Sequence, residues 1–160
     1  MPSNAPAIKR DAVEDYGATV ISCEPTLEAR ETTALAVQAD TGARFIHPYD
    51  DPHVIAGQGT AAVELLDQVE RLDAIVTPIG GGGLMSGTCI SAAAIAPSVR
   101  PIGAEPAGAG DGGRSLQAGT LIPQTAPDTI GAALLTCLSA MTRLLPTCNR
   151  ATIERRGSAP

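Results

Sequence analysis

Thr77-Pro78-Ile79-Gly80-Gly81-Gly82-Gly83-Leu84-Met85-Ser86-Gly87 is the stretch from which the fold is read. It continues the apolar run Asp73 to Pro78, with Ala74-Ile75-Val76 in its middle, which reads as a strand covered on both faces. Four consecutive glycines then open a helix expected over Leu84 to Ala96 and stopped by Pro97. Strand, glycine turn and helix in this order suit an anion. Glycines let the backbone approach closely and adopt positive φ, so several N–H groups can point inward, and the helix N-terminus adds partial positive charge. A phosphate monoester fits such a cradle without a basic side chain. The plainer alternative is a flexible turn, but four glycines impose an entropic cost that an ordinary connection has no reason to carry.

Two familiar phosphate loops are excluded by single residues. A P-loop in the spacing Gly82-x-x-x-x-Gly87 requires lysine next, and Thr88 stands there. A dinucleotide fingerprint starting at Gly80 requires glycine or alanine where Met85 stands.

Working outward, helical and strand-like segments alternate, the pattern of βαβ units winding a parallel sheet flanked by helices. Ala5 to Asp15 reads as a helix closed by Gly17, and Ala18 to Cys23 as a short strand. Leu27 to Asp40 reads as a second helix with Thr26 as N-cap and Thr41-Gly42 as its stop. Arg44 to His47 reads as a strand entering the turn-rich Pro48 to Pro52. Val54, Ala61, Leu65 and Val69 recur at helical spacing, so Val54 to Val69 is a third helix. Val99 to Ala104 is a further strand. Beyond Gly119 only a helix over Ile130 to Leu145 is legible, and Pro146 to Pro160 reads as a frayed tail.

Composition limits the function classes. A net charge of -6 with a single lysine, Lys9, argues against a nucleic-acid partner, which would draw on clustered Lys and Arg. No apolar run approaches the roughly 20 residues needed to cross a bilayer, and the N-terminus lacks a signal-peptide pattern, so a cytoplasmic protein without membrane contact is expected. Cys23, Cys89, Cys137 and Cys148 are too scattered for a zinc set and read as reduced packing residues.

Several motifs in ordered succession carry a resemblance. Ile46-His47-Pro48-Tyr49-Asp50-Asp51-Pro52, then Val54-Ile55-Ala56-Gly57-Gln58-Gly59-Thr60, the four glycines, and Gly103-Ala104-Glu105-Pro106 resemble the serine racemase and threonine dehydratase family. So do Met1-Pro2, Ala5-Pro6 with Lys9, and Tyr16-Gly17-Ala18; the likeness runs from about Met1 to Thr129. It implies part of a two-domain, fold type II pyridoxal-phosphate enzyme, like the tryptophan synthase β subunit. Residues 1–50 would end the small domain, residues 51–135 would belong to the large coenzyme-binding domain, and residues 136–160 would be an unmatched tail. It also implies that Gly80, Gly81, Gly82, Gly83 and the backbone of Leu84 hold the coenzyme phosphate. Glu105, the carbonyl of Ala109, and Asp111 would hold Mg²⁺ or Ca²⁺, and two carboxylates with a carbonyl do suit a hard cation.

The resemblance further implies an amino-acid substrate, L-serine or L-threonine. The products would be the 2-oxo acid with ammonia, or D-serine. A homodimer is implied for the whole enzyme, and Tyr16 resembles a residue near a nucleotide effector site between subunits. Tyr49 stands where some serine racemases have asparagine beside the coenzyme and many bacterial-type threonine dehydratases an aromatic. His47 and His53 read as structural.

The chain also departs from the family. The lysine that bonds the coenzyme aldehyde has no counterpart, because Lys9 matches a helix lysine after the Ala-Pro step. No catalytic residue is therefore assigned. Ile130-Gly131-Ala132-Ala133 stands where the family has an Ala-Asp-Gly step, and no likeness is seen after Leu135. A truncated gene product, a partial gene model or a reading-frame change near residue 130, inactive alone, is expected. The rival expectation is a non-catalytic protein that binds a phosphorylated ligand or pairs with a complete subunit.

Overall fold

The computed structural model describes residues 1–122 and the backbone of Thr152–Arg156. The chain divides into two compact units, Met1–Ile46 and His47–Pro160. The helix expected over Ile130 to Leu145 lies outside the described residues, as does the step at Ile130 to Ala133.

The first unit holds α1 (Ala7–Asp15) and α2 (Leu27–Thr41). Local signals set their ends. Thr26 accepts at Oγ1 from the N–H of Ala29 (3.1 Å), and Gly42, at φ +69°, takes the left-handed conformation that closes α2. Gly17, at φ +81°, does the same after α1, its N–H donating to the carbonyl of Glu14. The segment read as a strand over Ala18 to Cys23 forms one parallel bridge, Cys23 to Pro2. Arg44 to His47 joins no ladder among the described residues. No residue of Met1–Ile46 is buried. Ile8, Leu35 and Phe45 keep more than half of their surface exposed, so this unit has no apolar core of its own.

The second unit begins with α3 (Pro52–Gln68). Asp51 is its N-cap, accepting at Oδ1 from the N–H groups of His53 (2.8 Å) and Val54 (3.4 Å), with Pro52 at the first helical position. Asp51→Ala removes an acceptor that serves two orphan donors at a buried position. A loss of about 1–2 kcal/mol is expected, to be read from the shift in urea midpoint at constant slope.

β1 (Ala74–Pro78), α4 (Gly83–Ile95) and β2 (Arg100–Pro106) follow as a parallel strand–helix–strand unit, with Ala74 opposite Arg100 and Pro78 opposite Ala104. A 3₁₀ turn (Ala107–Ala109) leads to α5 (Asp111–Ala118), and β3 (Thr152–Arg156) adds in parallel to β2. The sheet order is β1-β2-β3. The reading of Pro146 to Pro160 as a frayed tail is thus corrected at Thr152–Arg156, which pairs along Ile102 to Pro106.

A core forms where Ala62 of α3 meets Ile75 and Val99, with Leu66, Leu72 and Ala96 packed around them. The helices α3 and α4 cross closely because both are glycine at the contact. A Cβ on Gly87 would lie 2.5 Å from the amide nitrogen of Gly59 and 2.6 Å from the carbonyl oxygen of Ile55. Ser91 Oγ donates to the carbonyl of Gly59 (3.0 Å) across the same contact. Met85, Cys89 and Ala92 line the fully buried face of α4.

Two expectations change here. β1 is covered on one face only: Ile75 and Thr77 are buried, but Val76 is 65% exposed. An unbroken apolar run does not report how many layers pack on it. Cys89 is disulfide-bonded rather than reduced, whereas Cys23 is free. Distance along the sequence carried no information about that approach in space.

Candidate functional site

The turn between β1 and α4 is anchored at its start by Ile79, whose N–H donates to the carbonyl of Ala104 on β2 (2.9 Å). Gly82 turns the chain into α4 at φ +94°, a conformation that a side chain would strain. The first turn of α4 is then closed from inside. The N–H and Oγ of Ser86 both donate to the carbonyl of Gly82 (2.9 and 2.8 Å), and Thr88 Oγ1 donates to the carbonyl of Leu84 (2.9 Å). No acidic side chain stands in that first turn to neutralise its positive end.

What this leaves is a run of donors. Among the described residues, the N–H groups of Gly80, Gly81, Gly82, Gly83 and Leu84 find no protein acceptor. Gly81, Gly82 and Gly83 are buried, with Gly80 and Leu84 half-buried. A buried N–H without an acceptor costs about 1–3 kcal/mol, so consecutive ones call for a ligand with several acceptor oxygens. The residue types fit a phosphate group in this respect.

Tyr49 walls the turn. A Cβ on Gly81 would fall 2.2 Å from the Tyr49 ring, and one on Gly83 would fall 2.8 Å from the Tyr49 carbonyl oxygen. Glycine is therefore required here by contact as well as by conformation. Sequence reasoning placed Tyr49 near the coenzyme only through the family likeness; nothing local to Pro48-Tyr49-Asp50 signals the packing on Gly81.

At the end of β2 the carboxylate of Glu105, 3% exposed, accepts from the N–H of Gly112 at Oε2 (3.0 Å) and of Gly113 at Oε1 (2.8 Å). It caps α5, whose first residue is Asp111. Asp111 and Ala109 are each 3% exposed as well. The three residues read from the sequence as cation ligands are thus all buried in the β2–α5 connection. The helix itself was missed, because Gly110, Gly112 and Gly113 hide its start; the one available signal was an acidic residue, Asp111, in a first helical turn. Glu105→Ala leaves two buried N–H groups unpaired. The expected loss is about 3 kcal/mol, or roughly 6–12 °C in melting temperature for a chain of this size, while Glu105→Gln, which keeps one acceptor oxygen, should lose less. Differential scanning calorimetry distinguishes them.

Of the other candidates, Tyr16 is 90% exposed at the end of α1. His53 is exposed in the first turn of α3, and His47 is engaged with its own loop. Lys9 is exposed on α1.

Parallel strands joined through a helix, with a glycine-rich turn at the head of that helix, define an α/β protein. Comparison with known proteins makes the class definite. Residues 1–152 match the family described as pyridoxal-phosphate dependent enzymes, and the chain belongs to that family. The match extends past Thr129, where the likeness read from the sequence ends, and past Leu135, after which none was seen.

The chain is 51% identical over 142 residues to the β-hydroxyaspartate dehydratase of Paracoccus denitrificans, covering 89% of this chain and 45% of that protein. It is 49% identical over 144 residues to the serine racemase of Dictyostelium discoideum, covering 89% and 44%. Among solved structures, maize serine racemase superposes with a TM-score of 0.92 at 39% identity, over 98% of this chain and 47% of that one. Threonine deaminase isoform 2 of Solanum lycopersicum gives 0.86 at 32%, over 97% and 46%. The fold is that of fold type II pyridoxal-phosphate enzymes, and the chain spans about half the length of the relatives it matches. Among the described residues no helix is long and apolar enough to cross a membrane.

Proposed function

We propose that this chain carries the coenzyme-phosphate seat of a pyridoxal-phosphate enzyme acting on small β-hydroxy amino acids. The reactions would be loss of ammonia from L-serine or L-threonine, or inversion of serine. The observation that carries the reading is the run of largely buried N–H groups from Gly80 to Leu84, without an acceptor among the described residues, at the positive end of α4. Gly80, Gly81, Gly82, Gly83 and the backbone of Leu84 would hold the phosphate, and pyridoxal phosphate when bound supplies the electron withdrawal that labilises the bonds at a substrate α-carbon. This chain's own contribution is binding and orientation. Ser86 and Ile79 keep the turn open, and Tyr49 walls it.

The substrate class is supported by the relatives. β-Hydroxyaspartate dehydratase, serine racemase and the L-threo-3-hydroxyaspartate ammonia-lyase of Saccharomyces cerevisiae are each named for an amino acid with a β-hydroxyl. Residues from about 51 onward would form part of the large coenzyme domain and those before it part of the small one. Lys9 is the only lysine and lies exposed on α1, so covalent attachment of the coenzyme would fall to a lysine outside these 160 residues. Turnover by these residues alone is not expected. A homodimer and a nucleotide effector belong to the same reading of the whole enzyme.

Glu105, Ala109 and Asp111 would hold Mg²⁺ or Ca²⁺. Each Glu105 oxygen has lone-pair capacity beyond its bond to an amide, and buried oxygen ligands suit a hard cation. On this reading Mg²⁺ raises the melting temperature of the chain and Glu105→Ala removes the rise.

The deciding experiment is calorimetric titration with pyridoxine 5′-phosphate and with inorganic phosphate. The aldehyde-free ester should bind as tightly as pyridoxal 5′-phosphate, since the one lysine, Lys9, matches a helix lysine of the family rather than the lysine that bonds the aldehyde. Absence of binding by both, in a chain shown folded by circular dichroism, would sink the proposal. Pyruvate release from L-serine by this chain alone would overturn the assignment of attachment to a lysine elsewhere.

A further inference from the structure

We propose that His47 is a positioning residue for the glycine turn, acting through Tyr49; the proposal rests on the phosphate-seat reading above. Two N–H groups of the turn from His47 to Asp50 converge on one atom. His47 Nδ1 accepts from the N–H of Asp50 (2.9 Å) and, more weakly, from the N–H of Tyr49 (3.4 Å). Accepting at Nδ1 requires that this nitrogen carry no proton. The same ring meets Tyr49 edge to face, with centroids 4.6 Å apart and planes at 88°, a favoured aromatic arrangement. His47 thus fixes both the backbone and the ring of Tyr49.

Tyr49 in turn leaves no slack at the seat. Its ring occupies the space where Gly81 would carry a Cβ, and its carbonyl oxygen and Cα occupy the corresponding space at Gly83. Two of the five unengaged donors therefore have their near wall set by this one residue. If the His47 turn opens, the wall moves and the turn of glycines is free to relax away from the arrangement in which its N–H groups converge. The histidine touches neither the glycines nor the phosphate, and its effect is transmitted.

The test uses the full chain and pyridoxine 5′-phosphate as probe, with affinity from calorimetry and folding from circular dichroism. His47→Asn keeps a side-chain oxygen able to accept from N–H groups two and three residues on, the usual asparagine turn. It should bind within about twofold of the parent. His47→Leu removes the acceptor and should weaken binding about tenfold, the worth of one net hydrogen bond. In a Tyr49→Ala background His47→Leu should add nothing, because the wall it positions is gone; a purely structural role would keep its effect there. If His47→Leu does not fold, His47→Gln, whose carbonyl sits one bond too far, takes its place.

Equal binding by His47→Leu and the parent overturns the inference and leaves the phosphate seat standing. So does an equal loss in His47→Asn, or a loss that persists without Tyr49. Failure of the parent chain to bind removes the phosphate seat and the inference together.

Discussion

Gly81→Ala is expected to weaken pyridoxine 5′-phosphate binding about 100-fold, the cost of losing two hydrogen bonds to a charged acceptor. The argument is geometric. The added methyl would lie 2.2 Å from two ring carbons of Tyr49 and 2.5 Å from a third, distances at which one group must give way. Tyr49 is held by the His47 turn and by its own ring contact, so the glycine turn is the part that moves, and its donors diverge. Tyr49→Ala makes room. The double variant Gly81→Ala, Tyr49→Ala should therefore bind better than Gly81→Ala alone, a coupling between neighbours that independent sites do not show. Calorimetric titration of the four proteins gives the cycle, and equal affinity of Gly81→Ala and the parent would contradict the account of the turn.

Gly87→Val is expected to be the most destabilising single change in the second unit. A Cβ at Gly87 meets backbone on all sides: the amide nitrogen of Gly59 at 2.5 Å, the carbonyl oxygen of Ile55 at 2.6 Å and the Cα of Gly59 at 2.8 Å. Side chains can change rotamer to admit an intruder, but two helix backbones must separate as bodies. Separation would also stretch the bond from Ser91 Oγ to the Gly59 carbonyl. A loss of about 4 kcal/mol is expected, beyond the usual 1–3 kcal/mol of overpacking because no rotamer relieves it. Chemical denaturation should place the variant near or past its midpoint without denaturant. A change of under about 1 kcal/mol would mean that the helices part easily.

How much could be read beforehand follows from how local each signal was. The ends of α2 were legible because Thr26 and Gly42 do their work within one turn of the helix. The strand–glycine–helix step was legible because Gly80 to Gly83 permit close approach and positive φ whatever surrounds them. Val76 was misjudged: its run of neighbours was apolar, but exposure on one face depends on which layers are present. β3 was missed because Glu154, Arg155 and Arg156 carry no strand signal, and the pairing is made by main-chain groups along β2. Cys89 and the cap of Glu105 on Gly112 and Gly113 depend on approaches between segments, which spacing along the chain does not encode. The glycine turn was in the sequence; the packing of Tyr49 on Gly81 came from tertiary contact.

β1 has a bearing on how the protein behaves in a tube. It is hydrogen-bonded to β2 on one side and stands at the end of the sheet order among the described residues, with Val76 turned outward. Neither a proline inside Ala74–Thr77 nor a charged side chain there discourages a second strand from adding on. At high concentration, molecules should therefore zip together along this border into species whose size grows with dose. A lysine installed at Val76 should keep them apart while leaving the glycine turn next door untouched.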